Sequence, residues 1–181
     1  MDKGVELARI INGCKSGDAD SFAQVVDMYA GRCYGYFYRL TGDRDLSDEL
    51  LSELFIRLVQ KIRSYKGGAF ESWLFKIASN IFHDHLRGKQ RRKKLLDAHR
   101  AEIEQEPGLN EPRFSDEAGM RLDKLQAQLQ RLDTDTRELI MLRFYSELSF
   151  KEIAELRSEP IGTALSKLHR GLKKLRELME G

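Results

Sequence analysis

Cysteine is scarce and scattered in this chain: Cys14 and Cys33 are the only two, with no Cys-x-x-Cys pair and no clustered histidine nearby. Neither a zinc site nor a disulfide framework is expected from that spacing, and reduced thiols in a cytoplasmic protein fit it best. Long apolar runs are missing as well, so no stretch reaches the length of about 18 residues that a membrane span needs. No basic, then apolar, then small-residue leader opens the chain, which argues against secretion. Alternation of apolar and polar residues persists nowhere, and there is no internal repeat, which leaves an all-α protein. A phosphate-binding glycine loop, a metal-ligand cluster and a nucleophile–base arrangement are also lacking, so neither an enzyme nor a bound cofactor or metal is expected. His83-Asp84-His85 is the nearest approach, but successive helical positions point about 100° apart and do not converge on one ion.

What is present is segregated charge. Over 181 residues the net charge is only +2, although 33% of the residues are charged. From Lys76 to Lys94 there are seven Lys/Arg against one Asp, and from Leu156 to Arg176 six against one Glu. Between them, Ala101 to Met120 carries six Asp/Glu against one Arg. Two basic blocks on an acidic tether suggest two nucleic-acid contacts. The expected organisation is a first helical domain over 1–96, a flexible linker over 97–118 with Pro107, Gly108 and Pro112 as breakers, and a second helical domain over 119–181.

The second domain ends in a helix-turn-helix pattern. Ser149 and Glu152 form a capping box that starts a helix near Phe150, and Pro160 stops it after Arg157-Ser158-Glu159. The next helix should open at Ile161. Its core sector is expected to hold Ile161, Ala164, Leu165, Leu168, Leu172 and Leu175, and its opposite face Thr163, Ser166, Lys167, Arg170, Lys173 and Lys174. That basic stripe has the dimensions of a major-groove reader, and a solvated cationic face is the bland alternative. Upstream, Leu122, Leu125, Leu129 and Leu132 mark one amphipathic helix and Thr134 to Tyr145 another, capped at Asp133 or Thr134.

In the first domain, helical spacing marks Leu7–Gly13, Ser21–Leu40 and Asp45–Ile62. Asp43 to Glu53 holds five carboxylates and one Arg, which either stabilises a helix N-terminus through the macrodipole or docks a basic partner. Arg63 to Ala69 reads as a glycine loop bearing Tyr65 and Lys66, placed to stack an unpaired base or to pack on its own domain. A helix from Phe70 to about Gly88 follows, expected to expose Ser72, Lys76, Ser79, Asn80, His83 and Arg87. Lys89 to Lys94 then offers phosphate attraction.

Three blocks resemble the extracytoplasmic-function (ECF) sigma factors of bacterial RNA polymerase. Gly17-Asp18 through Phe22 to Leu40-Thr41-Gly42-Asp43, and on to Phe55-Ile56-Arg57-Leu58, is similar to the start of sigma region 2. Phe70-x-x-Trp73-Leu74-x-x-Ile77-Ala78-x-Asn80-x-x-x-Asp84-x-x-Arg87 resembles the promoter-melting segment. Leu148-Ser149-Phe150-x-Glu152-Ile153-Ala154 with Pro160-Ile161-Gly162-Thr163-x-x-Ser166-Lys167-Leu168-His169-Arg170 resembles the region 4 helix-turn-helix. The resemblance implies two helical domains that bind core RNA polymerase and promoter DNA. Asp48, Glu49, Ser52, Glu53 and Arg57 would dock on the polymerase. Tyr65, Lys66, Phe70, Lys76, Asn80, His83 and Arg87 would recognise and open the minus-10 element. Thr163, Ser166, Lys167 and Arg170 would read the minus-35 element, and an anti-sigma factor would clamp both domains. The alternatives are a helix-turn-helix regulator that acts without core polymerase and a helical adaptor that lacks DNA contacts. Several residues depart from the family pattern: Ser52 stands where glutamine is common, Arg157-Ser158-Glu159 where the turn is usually apolar-Gly-apolar, Leu165 where a cation or Met is frequent, and Asp133 where Pro is common.

Overall fold

The computed structural model describes residues 3–99 and 117–180, with side chains placed for 4–97 and 121–180. Within those residues the chain is helical and contains no strand. The first half comprises α1 (Lys3–Ser16), α2 (Ala19–Thr41), α3 (Arg44–Lys61), a 3₁₀ turn (Ile62–Ser64) and α4 (Phe70–His99). The second comprises α5 (Glu117–Gln130), α6 (Thr134–Tyr145), α7 (Phe150–Arg157) and α8 (Ile161–Glu180).

Local chemistry fixes most boundaries. The Asp18, Asp43 and Asp133 carboxylates each accept a backbone N–H three residues on, at 2.9, 3.1 and 2.8 Å, which satisfies donors that a helix start leaves free. Gly42 ends α2 at φ 73°, in the left-handed region that glycine enters without strain. Ser149 and Glu152 complete the expected capping box of α7. Ser158, at φ 54°, closes α7 in the left-handed conformation where a glycine is more usual.

The core of the first half is aromatic. Tyr29, Tyr36, Phe37, Phe70 and Phe75 are fully buried among Leu54, Leu58, Leu74 and Ile81. Leu129, Leu139, Ile140, Leu142, Ile153, Ala164 and Leu168 fill the second. The two halves pack against each other, α2 on α5 and α6, and α4 on α7.

Two expectations change. The helix from Phe70 does not stop near Gly88 but continues to His99, because one glycine costs only about 1 kcal/mol in a helix and its neighbours are good helix formers. The basic run Lys89 to Lys94 therefore lies exposed along α4. The 97–118 linker falls mostly outside the described residues, with 97–99 finishing α4 and 117–118 opening α5.

Candidate nucleic-acid interface and the contact between the halves

The short α7 positions α8. Three elements, α5, α6 and α7, pack on α8, and the side they cover is that of Ala164, Leu168 and Gly171, all buried. Gly171 lets the helices approach closely, since a Cβ there would sit 2.4 Å from Cγ2 of Thr136. The face left exposed carries Gly162, Leu165, Ser166, His169, Arg170, Lys173 and Lys174. Ser166, Arg170, Lys173 and Lys174 thus stand on the outer side of α8. Thr163 and Lys167 sit at its edge, half-buried, and the Lys167 ammonium donates to Asp135 at 3.0 Å and Glu159 at 2.8 Å.

The apolar side was expected to be wider than it is. Ile161, Leu165 and Leu172 are 48%, 42% and 37% exposed, because the covering helices bury the Ala164–Leu168–Gly171 line and, further on, only part of Leu175 and Leu178. These three residues share one edge of the exposed face, within about 40° by rotation of 100° per residue. Ile161, Leu165, Leu172 and His169 are among the residues that periodicity alone did not place at this surface. The signal available for Leu165 was that it replaces a frequent cation or Met.

On the other half, α4 presents Lys76, Asn80 and Arg87 to solvent and His83 partly so, and Lys66 is exposed in the preceding loop. Lys76, however, donates to the Leu156 carbonyl at 2.6 Å, across to α7. Arg87 pairs with Asp84. Tyr65 and Phe70, expected among the DNA-facing groups, are buried. Their rings lie 5.6 Å apart, Trp73 sits 5.3 Å from Tyr65, and the Tyr65 hydroxyl donates to the Gly68 carbonyl at 2.6 Å. An aromatic beside two glycines gains more from this cluster than from water. Ser79 is also buried rather than exposed.

Ser79 is buried because it meets Glu138. The Glu138 side chain on α6 is 1% exposed and gathers donors from both halves. The hydroxyl of Tyr36 on α2 lies at 3.2 Å, and Ser79 and His83 on α4 at 2.7 and 2.9 Å. Arg157 on α7 donates to it at 3.1 Å, and also holds Glu159 at 2.9 Å and Asp135. Arg157 and Glu159, two departures from the usual turn pattern, are therefore what link the helix-turn-helix to this centre. Further bonds tie the halves together: Arg32 to the Tyr145 carbonyl at 2.9 Å, Gln126 to the Tyr38 carbonyl at 3.0 Å, and Arg137 to the Leu40 carbonyl at 2.6 Å.

Burial alone would raise the Glu138 carboxyl, but hydrogen bonds from His83 and Ser79 and the Arg157 charge outweigh it and hold it below its ordinary value. The hydrogen bond to Glu138 raises His83 against partial burial and the Arg157 and Arg87 charges. A raised imidazole contributes stability that is complete below its ordinary value and lost as pH rises through the raised one. A lowered carboxyl contributes stability that is complete above its ordinary value and lost as pH falls through the lowered one. The halves should therefore hold together most firmly between about pH 4.3 and about pH 6.5, the ordinary values of the two groups, and loosen as pH rises from there through the raised value of His83. Hydrogen exchange protection of α4 and α6, compared within that range and above it, checks this. Loosening of the same size in His83→Gln would show that another group is responsible.

Along α3, Asp48, Glu49, Ser52, Ile56 and Val59 share one exposed sector, and Glu53 flanks it half-buried. Ser52 donates to the Asp48 carbonyl at 2.8 Å, and Arg57 bridges Glu53 at 2.5 Å and Asp84 at 3.2 Å, bracing the ridge against α4. Ile56 and Val59, 58% and 53% exposed, were not singled out by the sequence. Their mark is that they stand off the buried stripe of Leu50, Leu54 and Leu58. No group of acidic, histidine and cysteine side chains suited to a metal ion occurs among the described residues. No helix among them is long and apolar enough to cross a membrane.

The sigma-70 region 2 model matches residues 25–92, and the sigma-70 region 4 model residues 122–175. ECF RNA polymerase sigma factor SigW of Bacillus subtilis is 32% identical, with 94% of this chain and 95% of SigW covered. ECF RNA polymerase sigma factor SigE of Mycolicibacterium smegmatis is 31% identical over 88% of this chain and 62% of SigE. Among solved structures, the fold resembles sigma factor RpoE in complex with the anti-sigma factor NepR from Bartonella quintana. There the TM-score is 0.70 at 24% identity, covering 90% of this chain and 98% of RpoE.

Proposed function

The chain belongs to the ECF RNA polymerase sigma factors, and from that membership we propose how its own residues bind core polymerase and carry it to promoters in the cytoplasm. The ridge of Asp48, Glu49, Ser52 and Glu53 docks on the polymerase, with Ile56 and Val59 supplying apolar area about one and two turns further along the same helix. Arg57 braces it. On α8, Ser166, Arg170, Lys173 and Lys174 face the minus-35 duplex. On α4, Lys76, Asn80, His83 and Arg87, with Lys66 and the Tyr65–Phe70 segment, take the minus-10 element. Bond making in the RNA belongs to the polymerase, and this chain contributes address and strand opening.

One observation carries the minus-35 assignment: on a capped helix-turn-helix, the side of α8 turned away from α5, α6 and α7 is the one that carries its cations. The contacts that now occupy Lys76, His83 and Lys167 are the ones promoter binding replaces, since an ammonium bonded to its own chain does not neutralise a phosphate. Two of the solved structures with this fold are complexes with an anti-sigma factor, NepR, and with the cytosolic domain of CnrY. By analogy, an inhibitor that holds the two halves would hide both DNA faces of this chain.

The test is purified chain plus core polymerase on genomic templates, with start sites mapped. RNA from defined promoters is expected, and no stimulation on any template would end the proposal. On a mapped promoter, Arg170→Ala and Lys173→Ala should each flatten the salt dependence of binding by about 0.9 in log–log slope, the signature of one lost phosphate contact. Slopes equal to wild type would remove α8 from the DNA.

A further inference from the structure

We propose that Leu165, with Ile161 beside it, reads the 5-methyl group of thymine in the minus-35 element, making this chain selective for thymine at that position. The inference rests on the reading of α8 as the minus-35 helix. Leu165 is the fifth residue of α8 and Ile161 the first, and the N-terminal residues of a recognition helix are the ones that reach base edges. Both are exposed, Leu165 at 42% and Ile161 at 48%. On one side the pair borders the buried Ala164 and Leu168, and on the other the exposed His169, with Lys173 and Ser166 beyond it and Arg170 further round the helix. Arg170 donates to the Ser166 carbonyl of its own helix at 3.3 Å.

The occupant of such a face must be a polyanion that also presents an apolar group. In the major groove that group is the thymine methyl, the only apolar feature among the base edges. A leucine cannot donate to guanine or accept from cytosine, so a G·C pair opposite it would leave its polar edge without a protein partner. Ser166 and Arg170, one and five residues further on, remain available for polar edges and phosphates.

The experiment uses holoenzyme reconstituted from this chain and core polymerase, on a promoter duplex that it selects from a randomised pool. Each minus-35 thymine is replaced in turn by deoxyuridine, which removes one methyl group and leaves every hydrogen bond. At one or two positions uracil is expected to weaken binding about fourfold, the value of one buried methyl-sized group. Leu165→Ala, an exposed helical position where alanine is well tolerated, should weaken binding to the thymine duplex equally, and combining the two changes should add nothing. Absence of any uracil-sensitive position, or losses that multiply when the changes are combined, would overturn the proposal. Loss of polymerase capture by Leu165→Ala with DNA affinity intact would overturn it too, assigning the strip to the polymerase. Failure to select any duplex, or a selected duplex indifferent to Arg170→Glu, would instead strike at the minus-35 reading itself.

Discussion

Glu138→Leu is expected to lower stability by about 3–5 kcal/mol, the usual result of removing one partner from a buried ion pair. The carboxylate is 1% exposed and faces Arg157, whose side chain is 8% exposed. Without Glu138 the guanidinium keeps Asp135 and Glu159, but it loses its deepest partner, and the Tyr36 and Ser79 hydroxyls lose theirs. Orphaned buried donors add the desolvation cost of each. Urea unfolding measures the change. Because the donors come from α2, α4 and α7 while the acceptor sits on α6, the variant should also separate one transition into two, one per half. Glu138→Gln, which keeps the shape and one acceptor oxygen, should fall between. A loss no larger than that of an ordinary surface change, about 0.5 kcal/mol, would show that the centre does not hold the halves together.

What the sequence discloses and what it hides follow from the range of the interactions. Ser149, Glu152 and Pro160 act within one helical turn, so the limits of α7 and the start of α8 were legible from them. Most of the buried stripe of α2 was legible too: of Phe22, Val25, Val26, Tyr29, Cys33, Tyr36, Phe37 and Leu40, which repeat at helical spacing, all are buried but Phe22, half-buried, and Val26, exposed. Ser79 and Glu138 lie 59 positions apart, and nothing local to Ser79 signals a carboxylate waiting on another helix. Periodicity also cannot say how wide a face the neighbours cover. On α8 they cover a narrow one, so Leu165 and Ile161 turn outward. Tyr65 had two readings from its loop, and only the positions of Phe70 and Trp73 decide for packing in this conformation.

Gly171→Ala is expected to misdirect α8. In most helices this exchange adds up to about 1 kcal/mol of stability, but here the new Cβ would sit 2.4 Å from Thr136 Cγ2 and 3.2 Å from Ile140 Cδ1. Thr136 is β-branched and held half-buried at the first turn of α6, so its methyl has little room to retreat. The net cost should be about 1–3 kcal/mol, as for other overpacked cores, with α8 displaced from α6. On the proposed assignment of α8 to the minus-35 element and α3 to core polymerase, displacement of α8 should weaken minus-35 binding while leaving polymerase capture unchanged. Thr136→Ala removes the obstructing methyl and keeps the helix, so the double variant should regain most of both stability and promoter binding. Denaturation midpoints and promoter affinities of the two single variants and the double variant complete the cycle. If the two changes prove additive, the close approach of α6 and α8 at Gly171 is not what sets the aim of the recognition helix.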